Sequence, residues 1–110
     1  THKVGPDFNI DDVHARILDE LAAEQGWTAL SAEDRAGIAR AWHALDAWPD
    51  FVPVLRRLRQ RHVVASFTIL STSLIVDVSR RNGIDWDCVI SCEMIGNYKP
   101  NQEAYLTCAK

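Results

Sequence analysis

Val63-Val64-Ala65-Ser66-Phe67-Thr68, running on through Ile69-Leu70-Ser71 into Thr72-Ser73-Leu74-Ile75-Val76-Asp77-Val78-Ser79-Arg80-Arg81-Asn82-Gly83, is the stretch that decides the fold. Its first six residues are β-branched, aromatic and nearly continuous in apolar character, as in a central parallel strand covered on both faces. From Thr72 to Asn82 the period becomes helical. Leu74, Ile75 and Val78 share one face, Arg80 and Arg81 sit in the last turn where the helix dipole favours cations, and Gly83 is the stop. Cys88-Val89-Ile90-Ser91 reads as a second short strand, so the segment predicts one parallel βαβ crossover.

Toward the N-terminus, Ala47-Trp48-Pro49-Asp50 marks an architectural boundary, because Pro49 disfavours helix at Trp48 and Asp50 can cap the next helix. That helix, from about Phe51 to Arg61, would bury Phe51, Leu55 and Leu58 and turn Arg56, Arg57, Arg59 and Arg61 to solvent. Further back, Asn9 caps a helix carrying Val13, Ile17, Leu18, Leu21 and Ala22, and Gly26 ends it. Ser31 and Asp34 form a capping-box pattern before a second helix with Ile38, Ala39 and Trp42. The expected division is a helical segment, 1–46, and an α/β unit, 47–110. Trp42, Trp48 and Trp86 are expected at junctions between helices and sheet. His14 and His43 have no carboxylate that sequence places beside them, and read as structural or surface residues.

The 110 residues, 47% hydrophobic and 25% charged, suit one ordinary globular core. Twelve Lys and Arg against fifteen Asp and Glu leave a formal charge of −3, which argues against a nucleic-acid partner, since such binding needs many neutralised phosphates. No apolar run approaches the roughly 18–20 residues of a membrane span. The opening residues lack the apolar centre of a secretory leader, so a cytoplasmic address is expected. Cys88, Cys92 and Cys108 are odd in number and have no companion pair at zinc spacing, so they read as reduced thiols.

Ligands of parallel α/β sheets bind beyond the carboxyl ends of the strands, here Thr68–Ser73 and Ser91–Lys99. The hydroxyls of Thr68, Ser71, Thr72 and Ser73 read either as an anion cradle or as helix caps. Lys99, in Gly96-Asn97-Tyr98-Lys99-Pro100, is presented from a backbone that Pro100 restrains at the start of a helix. Thr68 and Lys99, 31 positions apart, would converge on one crevice for a small anionic ligand.

These residues resemble the haloacid dehalogenase superfamily of hydrolases, most closely its 2-haloacid dehalogenase branch. The likeness lies in Leu45-Asp46-Ala47-Trp48-Pro49-Asp50, Val63–Thr68, Gly83-Ile84-Asp85-Trp86-Asp87, Tyr98-Lys99-Pro100 and Tyr105. It implies a partial Rossmann-like core, a parallel βαβ unit, preceded by helices of an α-helical cap. It further implies that Thr68 holds the substrate anion, with Ser71 the competitor if the loop is shifted, and that Lys99 pairs with a nucleophilic aspartate. Tyr105 either lines the site or packs its ring on the sheet. The family pattern Ser-Asn-Gly stands here as Thr68-Ile69-Leu70, so the polar neighbour of the hydroxyl is missing.

The resemblance also places the nucleophile segment and the last acidic motif outside these 110 residues. The implied reaction is halide displacement from carbon 2 of a short 2-haloalkanoic acid by a carboxylate, followed by hydrolysis of the aspartyl ester, with no cofactor. Lys99 would keep the nucleophile ionised, an opposite charge lowering a carboxyl pKa by roughly 1–3. Taken alone, the chain is expected to be inactive. The alternatives are a Mg-dependent phosphatase on the same core and a non-catalytic piece, homo-oligomeric through exposed sheet edges.

Overall fold

Two strands, β1 (Ala65–Thr68) and β2 (Cys88–Ser91), lie parallel and are joined by helix α4 (Thr72–Asn82), as the change of period requires. The register runs from Ala65 opposite Cys88 to Thr68 opposite Ser91, so both strands end side by side at one edge. Ser71 opens α4 by accepting the Leu74 amide, and Gly83 closes it at φ 63°, the left-handed conformation that glycine takes without a Cβ penalty. The structure, a computed structural model, describes residues 8–110. Readings of the chain's start that rest on 1–7 lie outside them.

β1 is shorter and less covered than its apolar run suggests. Val63 is 85% exposed, and of the four strand residues only Ser66 is buried. β1 pairs with β2 alone, so among the described residues it is not a central strand. A continuous apolar run records which residues tolerate burial, and the sheet edges available decide which of them get it. Ahead of the strand, Val64 is held by Asp87: the Val64 amide donates to Oδ2 at 2.8 Å and its carbonyl accepts the Asp87 amide at 2.8 Å.

Asp87 also receives Arg59 at 2.9 Å. The Val64 amide first, and then the Arg59 guanidinium, hold its carboxyl below the ordinary carboxylate value. A lowered folded-state pKa contributes stability above the unfolded value and loses it as pH falls through the folded one. Asp87→Asn is therefore expected to lower the thermal midpoint in the neutral region and to flatten the acid limb of a plot of midpoint against pH, the variant and the wild type converging as pH falls below about 4.

Helix α1 (Ile10–Gln25) starts at Asn9, whose Oδ1 accepts the Asp11 and Asp12 amides, and stops at Gly26. Helix α2 (Ala32–Arg40) carries the full capping box between Ser31 and Asp34. It ends at Arg40, and Trp42 belongs to a 3-10 turn, Ala41–Ala44. Helix α3 (Phe51–Arg59) is also shorter than expected. Asp50 makes no side-chain cap, and of the three apolar residues expected to be buried only Leu55 is, Phe51 being 38% and Leu58 46% exposed.

The tryptophans divide. Trp86 wedges as expected, its Nε1 donating to Ser79 Oγ at 2.9 Å and its ring edge-on to Phe51. Trp42 stacks on His14 at 4.4 Å yet is 43% exposed, and Trp48 is 82% exposed and packs no junction.

Helices α5 (Cys92–Ile95) and α6 (Gln102–Cys108) complete the chain. The core centres on α4: Leu74 and Ile75 are buried, together with Leu55, Cys92, Tyr98 and Ala104. The radius of gyration, 16.6 Å, exceeds the roughly 13 Å of a compact domain of about this length. The three cysteines are free thiols, and no helix among the described residues is long and apolar enough to cross a membrane.

Candidate functional site

Lys99 follows α5, where Gly96 at φ 66° turns the chain back. Tyr98 beside it is buried, its hydroxyl donating to the Phe8 carbonyl at 2.7 Å. The next helix, α6, begins two residues later than the Pro100 reading implied, at Gln102, with Asn101 as its cap. From this anchored position the Lys99 ammonium donates to the Phe67 carbonyl at 2.6 Å and lies 4.6 Å from the Phe67 ring centroid. Tyr105, 48% exposed, stands edge-on to Phe67 at 5.5 Å, with its ring 6.0 Å from the ammonium. Two π faces and a carbonyl thus hold one cation at the end of β1. Among the described residues no carboxylate lies within ion-pair distance of it.

Thr68, one residue beyond Phe67, ends β1. Its Oγ1 accepts the Leu70 amide at 3.1 Å, and the hydroxyl proton has no acceptor among the described residues. Ser71 is fully engaged, donating to Asp11 Oδ2 at 2.5 Å, accepting the Leu74 amide at 3.1 Å and lying 3.5 Å from the Ser73 hydroxyl. The Thr72 amide donates to Glu93 Oε2 at 2.7 Å, and Glu93 Oε1 accepts Asn9 Nδ2 at 2.8 Å. The N-terminus of α4, read from sequence as either a cradle or a cap, is capped by Ser71 and met by two of the chain's own carboxylates.

That placement has an electrostatic cause. Negative charge is stabilised where helix amides point outward. The Thr72 amide holds the Glu93 carboxyl below its ordinary range, against the opposing effect of burial, and Asn9 adds to the lowering. Ser71→Ala removes the α4 cap and the hydroxyl on Asp11, and is expected to cost about 1–2 kcal/mol in a urea titration.

His43 corrects the sequence reading. Sequence places no carboxylate beside it and reads it as structural or surface, yet its Nδ1 lies 2.7 Å from Asp77 Oδ2 and its Nε2 3.0 Å from Asp11 Oδ1. Burial pushes its pKa down, but hydrogen bonds and charge from Asp77 and Asp11 outweigh this, and it ends above the ordinary histidine value. These partners are 34 and 32 residues away, so no local spacing announces them. Asn9, Asp11, His43, Asp77 and Glu93 therefore form a polar junction that sequence reading missed.

A hollow of about 640 Å³ between α3, α4 and β2 is lined by Arg59, Ser79, Arg80 and Trp86, and by none of Thr68, Ser71, Lys99 or Tyr105. No group of three His, Cys, Asp or Glu side chains placed to hold a metal ion occurs among the described residues.

No family model and no curated sequence matches the chain. Solved structures do. The chain is 34% identical to the defluorinating L-2-haloacid dehalogenase Rha0230, with a TM-score of 0.83 over 93% of this chain and 42% of that one. It is 31% identical to the L-2-haloacid dehalogenase PA0810, with a TM-score of 0.85 over 93% of this chain and 44% of that one. The chain thus spans less than half the length of either structure.

Proposed function

The chain belongs to the haloacid dehalogenase superfamily, with L-2-haloacid dehalogenases as structural neighbours, and from that premise we propose that its residues form the anion-holding and lysine-bearing part of a 2-haloacid dehalogenase. The observation that carries the proposal is the restrained Lys99 ammonium at the carboxyl end of β1, one residue from the uncommitted hydroxyl proton of Thr68.

In this reading Thr68 donates to the substrate carboxylate. Lys99, held against the Phe67 carbonyl, lends its charge to an attacking carboxylate and keeps it ionised. Tyr105 bounds the same space through its edge-on contact with Phe67. Displacement of halide from carbon 2 gives an aspartyl ester, which water then hydrolyses. Lys99 faces no carboxylate among the described residues, so in this reading the nucleophile lies outside them. Each strand has one edge unpaired among the described residues, and an incoming strand can hydrogen-bond there.

The test is halide release from short 2-haloalkanoic acids, measured on the 110-residue polypeptide and on the product of its intact gene. Release by the second and none above background by the first is the expected result. Mg-dependent phosphate release from an aryl phosphate by the intact gene product, without halide release, overturns the proposal.

A further inference from the structure

We propose that His43 is a pH-operated latch, which in its imidazolium form ties helix α1 to helix α4 beside the carboxyl edge of the sheet and releases them when the ring loses a proton. The proposal is independent of the reaction assigned above.

The geometry carries it. Both ring nitrogens of His43 face carboxylate oxygens, Asp77 at 2.7 Å on one side and Asp11 at 3.0 Å on the other. A carboxylate can only accept, so both contacts are hydrogen bonds only when both nitrogens carry protons. The neutral ring has one N–H, and its other nitrogen would point a lone pair at a negative oxygen. Losing one proton therefore converts one of two bonds into a repulsion, whichever tautomer forms.

The three groups lie on three elements: Asp11 in the first turn of α1, His43 in the 3-10 turn, Asp77 in the middle of α4. The imidazole is 23% exposed at its side chain, open enough to exchange protons with solvent. Of the other charges near the junction, Glu93 lies close enough to Asp11 for each to feel the other, which adds to the negative field. Helix α2 also packs on the 3-10 turn, but its Asp34 is engaged by Ser31 and its Arg35 by Asp19. Among the described residues no cation other than His43 is a partner of Asp11 or Asp77.

The latch reaches the candidate site through Asp11. One oxygen of Asp11 meets His43 and the other receives the Ser71 hydroxyl at the start of α4. Opening at His43 leaves Asp11 held to α4 through Ser71 alone, and so loosens the α1 side of the junction that shields the α4 N-terminus. The elevated pKa of His43 agrees in direction. A group whose folded-state pKa is raised contributes stability fully below its unfolded value, about 6.5, and loses that contribution as pH rises through the folded value.

The experiment follows the His43 ring resonances and the amide protection factors of α1 in the 110-residue chain from about pH 5 to pH 9, beside thermal unfolding of the wild type, His43→Gln and Asp77→Asn. The expected result is a His43 midpoint above that of an ordinary histidine, loss of α1 protection with the same midpoint, and a matching fall in thermal midpoint. His43→Gln abolishes that fall, and Asp77→Asn moves the His43 midpoint down. A His43 midpoint at or below the ordinary value overturns the latch, as does α1 protection that ignores the titration or a fall that survives in His43→Gln. If His43→Gln does not fold, the wild-type and Asp77→Asn titrations decide.

Discussion

Lys99→Met, introduced into the product of the intact gene, is expected to lower the rate of halide release by about 10²- to 10³-fold, the loss typical when one preorganised charge is removed from a reacting centre. The ammonium is restrained by the Phe67 carbonyl at 2.6 Å and by the rings of Phe67 and Tyr105, so little reorganisation is needed to use it. Lys99→Arg is not expected to restore the rate, because a planar guanidinium fork does not fill the place of a compact ammonium. The substitution also removes a charge-assisted bond worth roughly 1.5–3 kcal/mol. The rate is therefore measured per folded molecule, with the fraction folded taken from circular dichroism on the same sample. An unchanged rate would remove Lys99 from the chemistry.

Leu74→Ala has the largest expected effect on stability, about 2–5 kcal/mol lost. Leu74 is fully buried, at 0% exposure, in the first turn of the helix on which the core centres. Few other side chains are as enclosed, so the cavity left behind has little around it that can collapse inward. With a total stability of only about 5–15 kcal/mol expected of any small domain, a loss of that size moves a urea midpoint by a large fraction of its value. Leu58→Ala is the comparison: Leu58 was expected in the core but is 46% exposed, and it should shift the midpoint far less.

The βαβ unit was legible because its signals are local. The Ser71 cap, the Gly83 stop and the βα change of period each lie within a few residues of what they control, and α4 and β2 have the bounds that the sequence predicts. The same holds for Asn9, Gly26 and the Ser31–Asp34 box. Burial was less legible. Phe51, Leu58, Val63 and Trp48 carry apolar side chains that the pattern sends inward, and all four are substantially exposed. Periodicity says which face is apolar, but only neighbouring elements say whether that face is covered.

The candidate site divides in the same way. Sequence places Thr68 at the end of β1 and at one edge with the end of β2, because the crossover is parallel, whereas Lys99 reaches that edge through α5 and the turn at Gly96. The anchor of Lys99 on Phe67, and the two carboxylates at the N-terminus of α4, could not be found so. Glu93 reaches Thr72 across 21 residues and Asp11 reaches Ser71 across 60. Sequence alone determined the order of elements, the caps that bound them and the edge where polar residues gather, since hydrogen bonding and hydrophobic period act over a few residues. Tertiary structure alone decided that His43 sits between two carboxylates, because a charge answers to whatever lies within a few ångströms, however distant along the chain.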